Sequence, residues 1–194
     1  MRGQAHTVEA IAAAVLIIGG LLFATQATAV TPLSASTSNQ HIENQQKASV
    51  EGLLSASASD GTLEEAVLYW NASRPAFAST SDTGVYSEGP DTEFGETLNE
   101  LLLDRRIAFN VHVRYPDGAG GTDTEPMVRM GEPSNNAVSA TRQIGLYDNS
   151  TLTSESHEGT TLASLSESEF YAPGIDPDTR LYTVVEVEVI AWRK

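Results

Sequence analysis

Near its N-terminus the chain has a long stretch that carries no charged side chain. Residues Ala10–Val30, AIAAAVLIIGGLLFATQATAV, are 21 residues without Asp, Glu, Lys or Arg. About 20 predominantly apolar residues form a helix that is long enough to cross the hydrocarbon core of a bilayer. The stretch therefore predicts a hydrophobic transmembrane helix, and the folded domain must be built from the residues that follow it.

Three interpretations of this N-terminus remain open. The first is a single-pass anchor whose Arg2 marks the cytoplasmic side. The second is a secretory signal peptide that is cleaved after the small residues at 27–29. The third is a short leader that is removed while the apolar helix is kept. Glu9 favours the third, because a carboxylate is costly inside a membrane but favourable at a helix N-terminus, where it can pair with an α-amine.

The residues before the apolar stretch carry a family resemblance. The sequence RGQAHTVE at residues 2–9, followed at once by the apolar run, resembles the class III signal peptide of archaeal type IV pilins, especially those of haloarchaea. The resemblance implies cleavage by a prepilin peptidase, either between Gly3 and Gln4 or between Gln4 and Ala5. It also implies that Glu9 serves assembly, and that the partners are membrane lipid and other pilin subunits, which meet through the N-terminal helix.

The charge balance excludes other classes of protein. The chain has 26 acidic and 11 basic residues, a formal net charge of −15, and only two lysines, Lys47 and Lys194. Nucleic-acid binding needs clustered basic side chains and is therefore excluded. Such an acidic, lysine-poor composition is typical of halophiles, because molar salt screens the self-repulsion. Without cysteine there is no disulfide, thiolate nucleophile or Cys-type zinc site.

The remaining sequence predicts an α+β protein: a long N-terminal transmembrane helix followed by a β-rich, antiparallel-sheet head domain, as in type IV pilins. Alternating apolar residues indicate the strands, and segments with caps or helical spacing indicate the helices. A flexible Ser-rich stalk is the alternative to a helical one. The predicted domains are a leader at 1–9, the transmembrane or filament-core helix at 10–30, a helical stalk at 31–60 and an extracellular head at 61–194. Within the head we predict helices at 62–70 and 97–106, strands at 107–115, 128–130, 137–147 and 181–192, and an exposed acidic insertion at 149–178.

No motif in the sequence indicates catalysis. The four histidines, His6, His41, His112 and His157, lie in separate segments without metal-ligand spacing, so we predict no catalytic, metal or cofactor site and no enzyme activity. We expect His112 to point outward from its strand and to pair with a carboxylate. Two sequons, Asn71-Ala72-Ser73 and Asn149-Ser150-Thr151, make Asn71 and Asn149 candidates for glycosylation.

These features lead to one prediction of function and one main alternative. We expect a pilin-like structural protein of the cell surface, attached to the cell membrane as a single-pass protein with its C-terminal domain outside, and present in surface filaments. The long insertion and the mid-span Gly19-Gly20 favour a minor or accessory subunit of an archaeal type IV pilus-like filament. The alternative is a membrane-anchored extracellular receptor or adhesin that does not polymerise. A secreted hydrolase has no motif in its favour.

Overall fold

The structure, a computed structural model, describes Ile17 and residues 40–166, 168–175 and 178–193. The chain divides into two units, Met1–Asn44 and Gln45–Lys194. In the first unit the described residues, Ile17 and 40–44, are helical. The second unit contains the β-sheet domain.

Helices and short strands precede the main sheet along the chain. In chain order the elements are α1 (40–60), α2 (Thr62–Leu68), β1 (Trp70–Asn71), β2 (Ala76–Phe77), α3 (Glu93–Leu101), β3 (Ile107–Pro116), β4 (Thr122–Arg129), β5 (Val138–Tyr147) and β6 (Leu181–Arg193). Short 3-10 helices lie at Leu103–Arg105 and Leu162–Ser164. Strands β1 and β2 form a small hairpin, and the other four form an antiparallel sheet in the order β4-β3-β6-β5.

The last strand, β6, lies inside the sheet between β3 and β5. Side chains alternate between the two faces of a strand, so one row of β6 faces the core and the other faces outward. The inward row is fully buried and consists of Thr183, Val185, Val187, Val189 and Ala191. The outward row includes Glu186 and Glu188, as the alternation in the sequence predicts.

The three helices contribute to the same hydrophobic core as the inward face of the sheet. In α1, Val50 and Leu54 are four residues apart, so they lie on one side of the helix, and each is 1% exposed. Helix α2 adds Leu63 and Val67, and α3 adds Phe94 and Leu98, all with 0% exposure. Burial of these side chains, rather than helix propensity alone, stabilises the short helices.

The break between α1 and α2 has a local cause. Gly61 has a φ of 90°, a left-handed conformation that glycine adopts without steric cost. Before it, Asp60 accepts hydrogen bonds at Oδ1 from the backbone N–H of Thr62 at 3.1 Å and from its hydroxyl at 2.8 Å. These bonds fix the turn that separates α1 from α2.

The segment 149–178 is irregular, but the expectation that it is an exposed insertion is wrong. Leu152, Leu162 and Phe170 in this segment are at most 4% exposed and belong to the core. Hydrogen bonds join it to β1, since Trp70 Nε1 donates to the carbonyl of Glu169 at 2.8 Å and Ser154 Oγ donates to the carbonyl of Trp70 at 2.7 Å. The apolar residues of this segment are widely spaced and do not alternate as in a strand. The sequence therefore showed mainly the acidic residues between them, which predicted an exposed segment.

The predicted fold class is wrong in its N-terminal part. Among the residues that the structure describes, no helix is both long and apolar enough to cross a membrane. The longest described helix, α1, includes the charged residues Glu43, Lys47 and Glu51. What the structure shows is a small α+β fold with a β-sheet domain. Apart from Ile17, the predicted leader, the hydrophobic stretch at 10–30 and residues 31–39 lie outside the described residues.

Candidate functional site

Only two of the predicted site residues lie in the described part of the chain. Gly3, Gln4, Ala5 and Glu9 are outside it. The two candidate glycosylation residues are described: Asn71 is the last residue of β1, where the hairpin turn begins, and Asn149 lies in the turn after β5. The candidate site is therefore built from these two turns and from the side chains that surround them.

The first sequon is held by hydrogen bonds within the fold. Asn71 is half-buried and pairs with Ala76 across the β1–β2 hairpin. Its Oδ1 accepts hydrogen bonds from the backbone N–H of Ser73 at 3.0 Å and of Arg74 at 3.1 Å, which is an Asx turn. The hydroxyl of Ser73 lies 3.0 Å from Nε2 of His157. The side chains of both polar residues of this sequon, Asn71 and Ser73, therefore take part in hydrogen bonds within the fold.

The second sequon lies in an open turn. The backbone N–H of Ser150 donates to the carbonyl of Tyr147 at 2.9 Å and closes a β-turn in which Asn149 is the third residue. Asn149 is exposed, and no described residue hydrogen-bonds its side-chain amide. Ser150 Oγ donates to Oε1 of Glu64 at 2.9 Å and thereby fastens the turn to α2.

A cleft of about 450 Å³ lies beside the second sequon. Tyr147, whose side chain is 50% exposed, stands at one side of the cleft. The other lining residues come from α2 and from the chain after the turn and are Gly61, Glu64, Glu65, Leu68, Asn149, Ser150, Thr151 and Thr153. An exposed aromatic ring among carboxylates and hydroxyls is suited to contact a polar molecule that has an apolar face.

An ion-pair network occupies the outward face of the sheet. Arg114 on β3 lies 2.6 Å from Oε2 of Glu188 and 3.4 Å from Oε1 of Glu186 on β6. Nδ1 of His112 lies 3.7 Å from Oε2 of Glu188, so the expectation that His112 points outward to a carboxylate is confirmed. Only 10% of the Glu188 side chain is exposed, which makes these contacts part of the strand pairing rather than a free charged surface.

The edge strand β4 places an acidic residue against aromatic rings. Burial raises the pKa of Glu125, and the nearby charge of Asp123 raises it further. Burial is also the main cause of a raised pKa at Tyr115 and at Tyr171, each of which lies near Glu125. The Tyr171 hydroxyl donates to the carbonyl of Val67 at 3.1 Å, so this tyrosine serves the packing between the sheet end and α2.

Glu125→Gln is expected to stabilise the protein at neutral pH and to lose this effect in acid. The folded pKa of Glu125 lies above the unfolded value, so its contribution to stability is present below the unfolded pKa and is lost as the pH rises through the folded pKa. Because the side chain is half-exposed, we expect a gain below about 1 kcal/mol at pH ~8 and almost none at pH ~4. Thermal unfolding at both pH values measures it, with exposed Glu100→Gln as control, and a larger gain in acid would contradict it.

The part of the chain that the structure describes holds no group of three or more His, Asp or Glu side chains placed to bind a metal ion.

Two features of the site were missed in the sequence. The position of Tyr147 beside the second sequon could have been noticed, because it is two residues before Asn149. The ion-pair network could have been noticed from the outward positions of Arg114, Glu186 and Glu188.

Comparison with known proteins places the chain in one family. The family whose model matches is described as a family of unknown function (DUF7288), and the match covers residues 2–191. No curated protein matches the chain, and no solved structure matches it. Because the family match extends over nearly the whole sequence, the chain belongs to DUF7288, a family of unknown function.

Proposed function

We propose that this protein is a pilin-like structural protein of the cell surface, a minor or accessory subunit of an archaeal type IV pilus-like filament. The observation that carries the proposal is the order of residues at the N-terminus. A short segment with Arg2-Gly3 leads to Glu9, and the uncharged residues 10–30 follow at once. This order suits a subunit that is processed next to a membrane and then assembled through its apolar N-terminal sequence.

The β-sheet domain supports this proposal by its position in the chain. The apolar sequence comes first, and the sheet domain occupies the C-terminal unit, Gln45–Lys194. In a filament, apolar N-terminal sequences of neighbouring subunits would pack together, while the acidic sheet domains would stay in contact with solvent. The small residues within 10–30, such as Gly19 and Gly20, permit close approach between chains.

The proposal assigns partners to the N-terminal residues. A prepilin peptidase cleaves next to Gln4, on one side of it or the other. The apolar sequence contacts membrane lipid before assembly and other pilin subunits after it. Glu9 forms an ion pair with the α-amine that cleavage creates on a neighbouring subunit. The sheet domain is then on the outside of the cell, and the protein remains at the cell membrane when it is not in a filament.

A second candidate is a membrane-anchored extracellular receptor or adhesin that does not polymerise. It is favoured by a polar cleft of about 490 Å³ beside β1, whose lining includes Tyr69, Asn71, Asp91 and Glu155. A receptor would use such a cleft to bind a ligand and would need no contact between copies. The two candidates differ in whether the protein is recovered with filaments.

Mass spectrometry of the mature N-terminus tests the processing that the proposal requires. The full-length chain, expressed in a haloarchaeal host and isolated from the cell envelope, should begin at Gln4 or Ala5. A chain that retains Arg2 would favour the plain anchor, and a chain that begins at Val30 would favour a secretory signal. As a control, Gly3→Leu should abolish a cut between Gly3 and Gln4, because Gly3 is then the residue directly before the cut.

A further inference from the structure

We propose that Asn149, and not Asn71, carries an N-linked glycan, and that the first sugar of this glycan packs on the exposed ring of Tyr147. The inference rests on the proposed function, since it requires the sheet domain to be outside the cell. The inference adds two points to the presence of the sequons. The structure distinguishes the two asparagines, and Tyr147, which belongs to neither sequon, receives a role.

Asn149 is accessible in the folded chain. It is exposed and is the third residue of the turn that the Ser150-to-Tyr147 hydrogen bond closes. Ser150 Oγ donates a hydrogen bond to Glu64, and Thr151 forms an isolated β-bridge with Thr161. These contacts hold the turn in place, while the side-chain amide of Asn149 makes no hydrogen bond to any described residue. A transferase can therefore reach the amide nitrogen without unfolding the domain.

Tyr147 is placed to contact the first sugar. It is the first residue of the turn and Asn149 the third, and both line the cleft of about 450 Å³. Half of the tyrosine is exposed, so part of its ring is free to be covered by a bound group. The face of an aromatic ring is electron-rich and attracts the polarised C–H groups of a sugar ring. Glu64, Glu65 and Thr153 offer acceptors for its hydroxyls across the cleft.

Asn71 is unsuited to modification in the folded state. Its side-chain oxygen accepts two backbone hydrogen bonds, and the Ser73 hydroxyl contacts His157. Asn71 also pairs with Ala76 in the hairpin. Attachment to the amide nitrogen would leave the two Oδ1 hydrogen bonds intact, but a transferase must reach that nitrogen and the hydroxyl of the sequon. Asn71 is half-buried and the Ser73 hydroxyl is held by His157, whereas Asn149 is exposed and its amide makes no hydrogen bond within the described part of the chain.

The attachment is a glycosyl transfer from a lipid-linked saccharide. The amide nitrogen of Asn149 bonds to the anomeric carbon of the saccharide, and the bond from that carbon to the lipid phosphate breaks. The phosphate leaves with the electron pair, and one amide proton passes to a base of the membrane transferase. No oxidation or reduction occurs, and the side chain of Asn149 is a neutral amide before and after the transfer.

Glycopeptide mass spectrometry of the full-length protein from a haloarchaeal host tests the site. We expect most of the Asn149 peptide to carry a saccharide and the Asn71 peptide to be unmodified. Thr151→Ala should abolish the modification and Thr151→Ser should retain it, whereas Ser73→Ala should change nothing. Modification at Asn71, or an unmodified Asn149 in protein that added protease can reach on intact cells, would overturn the inference.

The role of Tyr147 needs a separate measurement. Loss of the glycan, produced by Asn149→Gln, should lower the melting temperature of the wild-type protein but leave that of Tyr147→Ala unchanged. Equal shifts in the two backgrounds would overturn the packing. Recovery with sheared filaments tests the proposed function independently. If the protein is glycosylated but never enters filaments, this inference stands and the proposal that the protein polymerises is wrong.

Discussion

Leu54→Ala is expected to lower the free energy of unfolding by about 2–5 kcal/mol, the usual cost of a large-to-small change in a well-packed core. Leu54 is 1% exposed and lies in α1, within the same hydrophobic core as β6. Residues 45–60 belong to the same unit as the sheet, so removal of this side chain leaves a cavity in their common core. Urea unfolding of the purified chain, followed by the fluorescence of the two buried tryptophans, Trp70 and Trp192, measures the loss.

Ile42→Ala is the matched control for this experiment. Ile42 is also an apolar residue of α1, but it is 40% exposed. Its truncation should change the free energy of unfolding by less than about 0.5 kcal/mol. Equal losses for the two variants would contradict the placement of Leu54 in the core, because truncation of a buried side chain must cost more than truncation of an exposed one.

Glu9→Gln is expected to reduce incorporation into filaments severalfold while attachment to the membrane is kept. In the proposed assembly, Glu9 pairs with the α-amine of a neighbouring subunit in a poorly hydrated setting. Removing one partner of such a pair costs on the order of 3 kcal/mol, because the other charge is left uncompensated. Removal of a carboxylate next to an apolar sequence does not weaken membrane attachment and can strengthen it. Comparison of sheared-filament and membrane fractions by immunoblot measures both effects.

The control for Glu9→Gln is the same change at Glu158, an exposed residue of the sheet domain. It alters the net charge equally and should leave both fractions as in the wild type. Equal filament recovery for the Glu9 variant and the wild type would remove the pairing role of Glu9. Full recovery of the wild type in the membrane fraction alone would favour the receptor or adhesin.

The strands that alternate strongly could be predicted from the sequence. The pattern at 181–192 and that at 107–115 correspond to β6 and β3, because both have a continuous apolar row that must face a core. Strand β4, at Thr122–Arg129, was predicted only at its end. Its first residues are polar and exposed, and it includes Pro126, so its pairing with β3 rather than its own pattern makes it a strand.

The elements that were misplaced depend on contacts the sequence does not display. Helix α3 begins at Glu93, four residues before the predicted start, since Thr92 accepts a hydrogen bond from the N–H of Gly95 and caps it. The segment 149–178 was expected to be exposed because its few apolar residues follow no period. The long membrane helix was predicted from hydrophobicity alone, and the described residues contain no helix of that kind.

The candidate site could be predicted only in part. A sequon is visible in any sequence, so both asparagines were found. What separates them is tertiary structure, since the Ser73 hydroxyl is held by His157 and Ser150 is held by Glu64, residues that are more than 80 positions away in each case. Tyr147 was not singled out, because one aromatic residue at the end of a strand is not by itself a sign of a binding site.

The central claim, that this chain is a subunit of a surface filament, is tested most directly by the protein composition of sheared filaments. Filaments from haloarchaeal cells that express the full-length chain should be purified and digested, and peptides should be quantified by mass spectrometry. We expect peptides of the sheet domain in the filament fraction, at a level below that of a main subunit, together with an N-terminus at Gln4 or Ala5. Absence of the chain from purified filaments, with its full amount in the membrane fraction, would contradict it.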